Sequence, residues 1–221
     1  MTPTGDDFQA LARSSPWRWT TLHFRHRSSF PGDCEAWVRR PGELLVVEPS
    51  GRQHRETGVP DPRSFVSSDP GFAPPTPAAP QDVEPVRRPD GLVAERPDAF
   101  EIEYDDPMWG NYTWVAMLDP VELSHDVDVA DVRVGERAGR PTWEARLRPL
   151  AGYEPRCGCC SLLSSPVVDR AEWGDRFVER TYPDHHEVAL DVQTGVVVRL
   201  HPVGGHEDAV RLENDILEVD A

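Results

Sequence analysis

Between Val188 and Leu200 apolar and polar residues take turns: Val188, Leu190 and Val192 alternate with polar neighbours, Thr194–Gly195 interrupts, and Val196, Val198 and Leu200 resume the pattern. Successive side chains of a strand point to opposite faces, so this period puts the apolar residues of both segments on one side of a sheet and leaves the other wet. Two such runs around a Thr-Gly break predict a β-hairpin. The C-terminal half of the chain is therefore read as antiparallel sheet.

The same period recurs elsewhere. "RPTWEARLRPL" (140–150) sets Trp143, Ala145 and Leu147 against Glu144, Arg146 and Arg148. "DVDVADVRVGE" (126–136) moves its valines from odd positions (Val127, Val129) to even ones (Val132, Val134), which predicts a bulge near Ala130–Asp131 if all are to face the core. "AVRLENDILEVD" (209–220) reads as a last strand. Near the N-terminus, "WRWTTLHFRHR" is read as a strand with a bend near Thr20–Thr21. "CEAWVRR" and "GELLVVE" are two strands broken by Pro41–Gly42, and "RQHRETG" returns after a "PSGR" turn. Valine outnumbers leucine and isoleucine combined and there are seven tryptophans, residues that suit a pleated, half-buried surface.

Helices are predicted in two places. "GDDFQALAR" (5–13) has Asp6 or Asp7 as cap and Phe8, Leu11 and Ala12 on one side. "MWGNYTWVAMLDPVELSH" (108–125) spaces Trp109, Tyr112 and Met117 roughly helically until Pro120 breaks or restarts the helix. Residues 58–98 hold ten of the 23 prolines, and no continuous sheet can run through them. They read as an irregular or mobile insertion, or as an extended ligand for another domain. "AFEIEYDD" (99–106) resumes as a strand with Phe100, Ile102 and Tyr104 on one face. The expected architecture is one mainly β domain spanning 1–221, with that insertion inside it: a curved antiparallel sheet or half-barrel with one or two short helices.

This order of elements resembles the LolA/RseB-type lipoprotein-carrier superfamily. The resemblance is carried by "TTLHFRHR…AWVRRPGELLVVEPSGR" early and "HHEVALDVQTGVVVRL" late. It implies a curved, half-open barrel whose concave side is plugged by helices and takes acyl chains or protein segments, or serves as a sensor module. No ligand-contacting residue is carried over by it.

Charge narrows the partners. The formal balance is 23 − 39 = −16, with every basic residue an arginine. Nucleic-acid binding needs a basic footprint, and no run here supplies one. An acidic chain is also repelled by anionic lipid headgroups. No stretch approaches a membrane span, and the N-terminal residues show no apolar signal core. The expectation is a cytoplasmic protein whose thiols stay reduced.

Three of the four cysteines fall in "YEPRCGCCSLL" (153–163). Cys157 and Cys160 stand at i and i+3, the spacing at which a tight turn aims two thiolates at one point, with Gly158 expected to supply permissive backbone. That is half of a zinc knuckle. The remaining ligands would come from Cys159, from Cys34, or from His185 and His186. Arg156 is expected to lower the thiol pKa, which favours metal binding and redox chemistry alike. A vicinal Cys159–Cys160 bridge would be strained, because consecutive Cα atoms stand about 3.8 Å apart. The plain alternative is a reduced, partly buried loop packing as small apolar residues do.

Other candidates weigh less. His185 and His186 point to opposite faces of a strand and read as exposed, as do His201 and His206. The carboxylates of "EIEYDD" and "LENDILEVD" read as a solvated strand face. Trp19, Trp109 and Trp114 could line a cavity for a ligand, or fill a compact core. Nucleophile elbows, phosphate-cradling glycine loops and H-E-x-x-H are all lacking, which disfavours the enzymes that carry such motifs. The sequence thus supports a non-enzymatic binding or sensor module taking an apolar small molecule or protein segment on a concave sheet face. The alternative is a thiol-dependent protein with a structural zinc or redox site at Cys157–Cys160.

Overall fold

The last strand of the chain pairs with the first. In the computed structural model, which describes residues 2–57, 79–97 and 105–220, β11 (Leu212–Asp220) lies between β1 (Thr21–Ser28) and β10 (Val197–Gly204). On one side of β1 follow β2 (Cys34–Arg39), β3 (Glu43–Val47) and β4 (Gln53–Thr57). Beyond β10 come β9 (Pro183–Asp191), β8 (Arg140–Pro149) and β7 (Val127–Arg137). All nine are antiparallel neighbours in one open sheet, curved but not closed into a barrel, so both halves of the chain build a single core.

Alternation decides the two faces, as the sequence predicts. Leu22 and Phe24 of β1, Ala36 and Val38 of β2, Val188 and Leu190 of β9 and Ile216 of β11 all point into the core. Each of these side chains other than Ala36 contributes about 1.5–3 kcal/mol by leaving water. The opposite face carries ion pairs: Arg27 with Glu213 and Asp215, Arg199 with Glu187, Arg133 with Glu144. Exposed pairs of this kind contribute only about 0–1 kcal/mol each, but they keep that face wet.

Helices cover the apolar face. α1 (Gly5–Ser14) packs across β7, β8 and β9, while α2 (Tyr112–Leu118) lies on β10 and sets Trp114 against Phe24 of β1. The cap of α1 is Thr4 rather than an aspartate: Thr4 Oγ1 accepts the Asp7 N–H, and Asp7 returns its carboxylate to the Thr4 N–H. This reciprocal box satisfies two amides, where a lone Asp cap would satisfy one. A third helix, α3 (Pro166–Trp173), was not expected; its Ser165 cap and Pro166 at the first turn are the local start signals.

Several sequence expectations shift. β1 begins at Thr21, so the apolar switch after Trp19 marks the strand's start, and the register irregularity falls between His23 and Phe24 instead. The bulge after Ala130 is present, with Asp131 at φ 53°, yet Val134 stays exposed because edge strand β7 runs past the core. Residues 79–97 carry short regular pieces within otherwise irregular chain. They hold a small hairpin, β5 (Val86–Arg87) and β6 (Val93–Glu95), tied to α1 by Arg88 with Asp6 and Asp7 and by the Val93 N–H on Ser14 Oγ. The rest of the proline-rich stretch through 78, and the strand expected over 99–106 up to 104, lie outside the described residues.

Charged groups also enter the interior. Arg40 donates twice to Asp106 (2.8 and 2.7 Å), reaches the Ser15 and Pro16 carbonyls and lies 3.4 Å over the Trp19 ring. Asp119, at the end of α2, receives Arg96 and Arg156 together. A pairing of this kind offsets the large cost of removing each charge from water.

Candidate functional site

Cys157 leads into a single 3-10 turn, Gly158–Cys160, closed by the Cys160 N–H on the Cys157 carbonyl at 3.2 Å. Four hydrogen bonds fix this turn and its flanks on the fold. The Glu122 carboxylate, buried in the turn that follows α2, accepts the Arg156 N–H before the loop (3.0 Å) and the Leu162 N–H after it (2.9 Å). It also accepts the Tyr153 hydroxyl at 2.5 Å. From α2, Thr113 Oγ1 donates to the Cys160 carbonyl at 2.9 Å. One acid thus replaces the ladder partners that an irregular loop lacks.

The turn brings the three sulfurs together. Cys157 Sγ stands 3.1 Å from Cys159 Sγ and 3.8 Å from Cys160 Sγ, and Cys159 and Cys160 are 3.1 Å apart. Four thiolates or mixed donors around zinc, at Zn–S about 2.3 Å, place sulfurs about 3.8 Å apart. The Cys157–Cys160 edge already has that length. Cys159 is exposed and needs to open by about 0.7 Å, a small movement for a surface side chain. Disulfide bonding would require closure to about 2.05 Å. All three thiols face one point, which suits a single thiophilic ion.

Electrostatics runs against one expectation. Arg156 does not activate the thiols: its guanidinium is held by Asp105 and Asp119. Burial pushes the Cys157 and Cys160 thiols up instead. Burial also drives the Glu122 carboxyl up, although its three donors oppose the shift. For Asp119, burial acts upward too, but Arg96 and Arg156 outweigh it and hold the group below its usual range. The Glu172 carboxylate of α3 lies over the turn at Gly158, and its charge bears on the Cys159 thiol.

Cys34, the fourth cysteine, is not part of this group. It sits on β2, facing the core opposite His26, where burial pushes its thiol up to about 12. His185 and His186 are likewise outside it, because β9 carries them to the sheet. His186 is not exposed as expected: it faces the core at 1% exposure, while His185 takes the other face. His201 approaches Arg211, and His206 approaches Ser164. Asp105 and Asp106 are ion-paired, not a solvated face, whereas Glu213 and Asp215 do pair on the outer face.

Trp19, Trp109 and Trp114 are 2, 9 and 1% exposed and belong to one core cluster. Trp109 and Trp114 meet edge to face at 5.4 Å, and His26, held by Asn214 at 2.7 Å, packs against both. Trp37 is different. It stands on the outer sheet face, stacked on His23 at 4.4 Å, and lines a depression of about 570 Å³ with Arg39, Glu43 and Glu218. Among the described residues no helix is long and apolar enough to cross a membrane.

No protein-family model matches the chain, and no match to a curated protein is significant. Sequence reasoning missed Glu122 and Glu172. An acid within the apolar stretch 114–123 was the available signal for the first. Nothing local marks the second, since its partner lies fourteen residues upstream in a turn without regular period.

Proposed function

We propose that this chain is a non-enzymatic metal-binding module in which Cys157, Cys159 and Cys160 together hold one thiophilic cation, with zinc as the ion of best fit. The observation that carries this reading is the convergence of three sulfurs at 3.1–3.8 Å on a turn anchored from both sides. Thiolate donors favour zinc and copper(I) over magnesium or calcium. The ion would tie the turn to α2 and α3, a structural or sensing role. Cobalt(II) substitution tests it: thiolate-to-cobalt charge-transfer absorption should appear with one ion per chain and vanish in Cys157→Ser/Cys160→Ser. Absence of that absorption, together with two thiols recovered only after reduction, would make the turn a disulfide site instead.

A second reading keeps the sheet as a platform for an apolar small molecule or protein segment but moves the site to the outer face, because Trp19, Trp109 and Trp114 fill the core on the side that the LolA/RseB-type resemblance implies. The depression around the half-exposed Trp37, which is stacked on His23, is the observation that favours it. An apolar fluorescent probe should bind saturably to the wild-type chain and lose most of its affinity with Trp37→Ser. Equal binding by both would remove this reading.

A further inference from the structure

We infer that the sulfurs of Cys157, Cys159 and Cys160 also take a trivalent metalloid, arsenous acid in water, and hold it by three As–S bonds. This rests on the three-sulfur reading above and names a second occupant for the same triangle, a neutral molecule where zinc is a cation.

The triangle is narrower than tetrahedral zinc requires. At a bond length of about 2.3 Å, sulfurs 3.1 Å apart subtend about 85° at the bound atom, and sulfurs 3.8 Å apart subtend about 111°. Zinc asks for the wider angle on every edge, so Cys159 has to swing outward to receive it. Trivalent arsenic keeps a lone pair and directs its three bonds to one side, closer to right angles. The two edges that meet at Cys159 already suit it, and only the Cys157–Cys160 edge has to narrow.

No fourth donor is required either. Among the described residues no further histidine, cysteine or carboxylate joins the three sulfurs. Zinc held there has to recruit an outside ligand for its fourth position. The arsenic lone pair fills that side by itself. Charge points the same way: Arg156 is held by Asp105 and Asp119, and the chain as a whole carries −16. Three thiolates on a divalent ion leave one negative charge, whereas three on trivalent arsenic leave none.

The capture step is a condensation. Each S–H gives its proton to one As–OH, water leaves, and an As–S bond replaces the As–O bond. Three such exchanges release three waters, and neither arsenic nor sulfur changes oxidation state. Exposed Cys159 is the point of entry, with the half-buried Cys157 and Cys160 following. The turn is already closed by the Cys160 N–H and anchored on both flanks by Glu122, so little further ordering is needed.

Sodium arsenite, added to the chelator-stripped full chain in excess monothiol, tests this by intact mass and thiol titration. The expected adduct is one arsenic per chain with three hydrogens lost and three thiols consumed. Cys159→Ser should weaken arsenic binding about a hundredfold, because the third bond closes within the chain. An adduct that consumes only two thiols, keeping a hydroxyl or the monothiol on arsenic, overturns the inference. Equal affinity in wild type and Cys159→Ser does so too, since any close pair of thiols would achieve as much. Failure to take up arsenic in a chain that binds one zinc overturns it and leaves the zinc reading standing. Arsenic uptake by a chain that binds no zinc upholds it and removes the zinc reading. A chain that takes neither removes the three-sulfur site altogether.

Discussion

The Tyr153 hydroxyl donates to Glu122 Oε1 at 2.5 Å inside the protein, with both side chains almost fully buried. The pair sits under the cysteine turn, and the same carboxylate also takes the N–H groups at Arg156 and Leu162. The position of the sulfurs therefore depends on a group in another segment of the chain.

Glu122→Ala would leave the Tyr153 hydroxyl and two backbone N–H groups buried without an acceptor. Each orphaned donor costs about 1–3 kcal/mol, so the variant should lose about 3 kcal/mol or more in urea unfolding. Glu122→Gln retains an acceptor oxygen and should lose less. Equal stability of wild type and Glu122→Ala would show that the carboxylate does not anchor the turn.

His186 supplies an acid-sensitive element. Neither ring nitrogen makes a well-formed hydrogen bond, the nearest polar approach being the Leu147 backbone across the ladder. Burial first, and His185 second, lower its pKa from 6.5 to about 4. The unfolded chain then binds a proton that the folded chain refuses between those values, so stability falls as pH drops from 6.5 towards 4. The loss attributable to this group is at most about 3 kcal/mol. His186→Leu should unfold with a flatter pH dependence across that window. An unchanged slope would place the acid sensitivity elsewhere.

Gly195, in the β9–β10 connection, has φ 74° and faces the Leu11 carbonyl of α1, which a Cβ would approach to 2.8 Å. Both strain and collision with backbone follow from adding a side chain there. Gly195→Ala should cost about 2 kcal/mol or more, read as a lower midpoint in thermal or urea unfolding. A neutral outcome would mean that α1 can move away from the sheet at little cost.

The strands were legible because their period is local. Val188–Leu200, Trp143–Leu147 and the Ala130 bulge need only the two-residue alternation to be read, and burial of one face enforces it. The cysteine turn was visible by spacing, and its three sulfurs do meet. Its setting was not legible. Arg156 stands beside Cys157 in sequence, but Asp105 and Asp119, which absorb its charge, arrive from 51 and 37 residues away. Cys34 looked available by type, yet β2 fixes it on the sheet beside His26. The buried face of His186 depends on strand register, which the adjacent pair His185–His186 leaves open. Trp19 and Trp114 carry no mark that distinguishes lining a cavity from filling a core; that follows from where α1 and α2 settle.

The central claim is that three thiolates hold one ion. Metal analysis of protein purified without chelators, paired with a thiol titration, addresses it most directly. The account predicts close to one zinc per chain, with Cys157, Cys159 and Cys160 reacting only after a chelator is added, and no zinc in the triple Cys→Ser variant. Metal-free protein whose three loop thiols react at once, before any chelator, would contradict it.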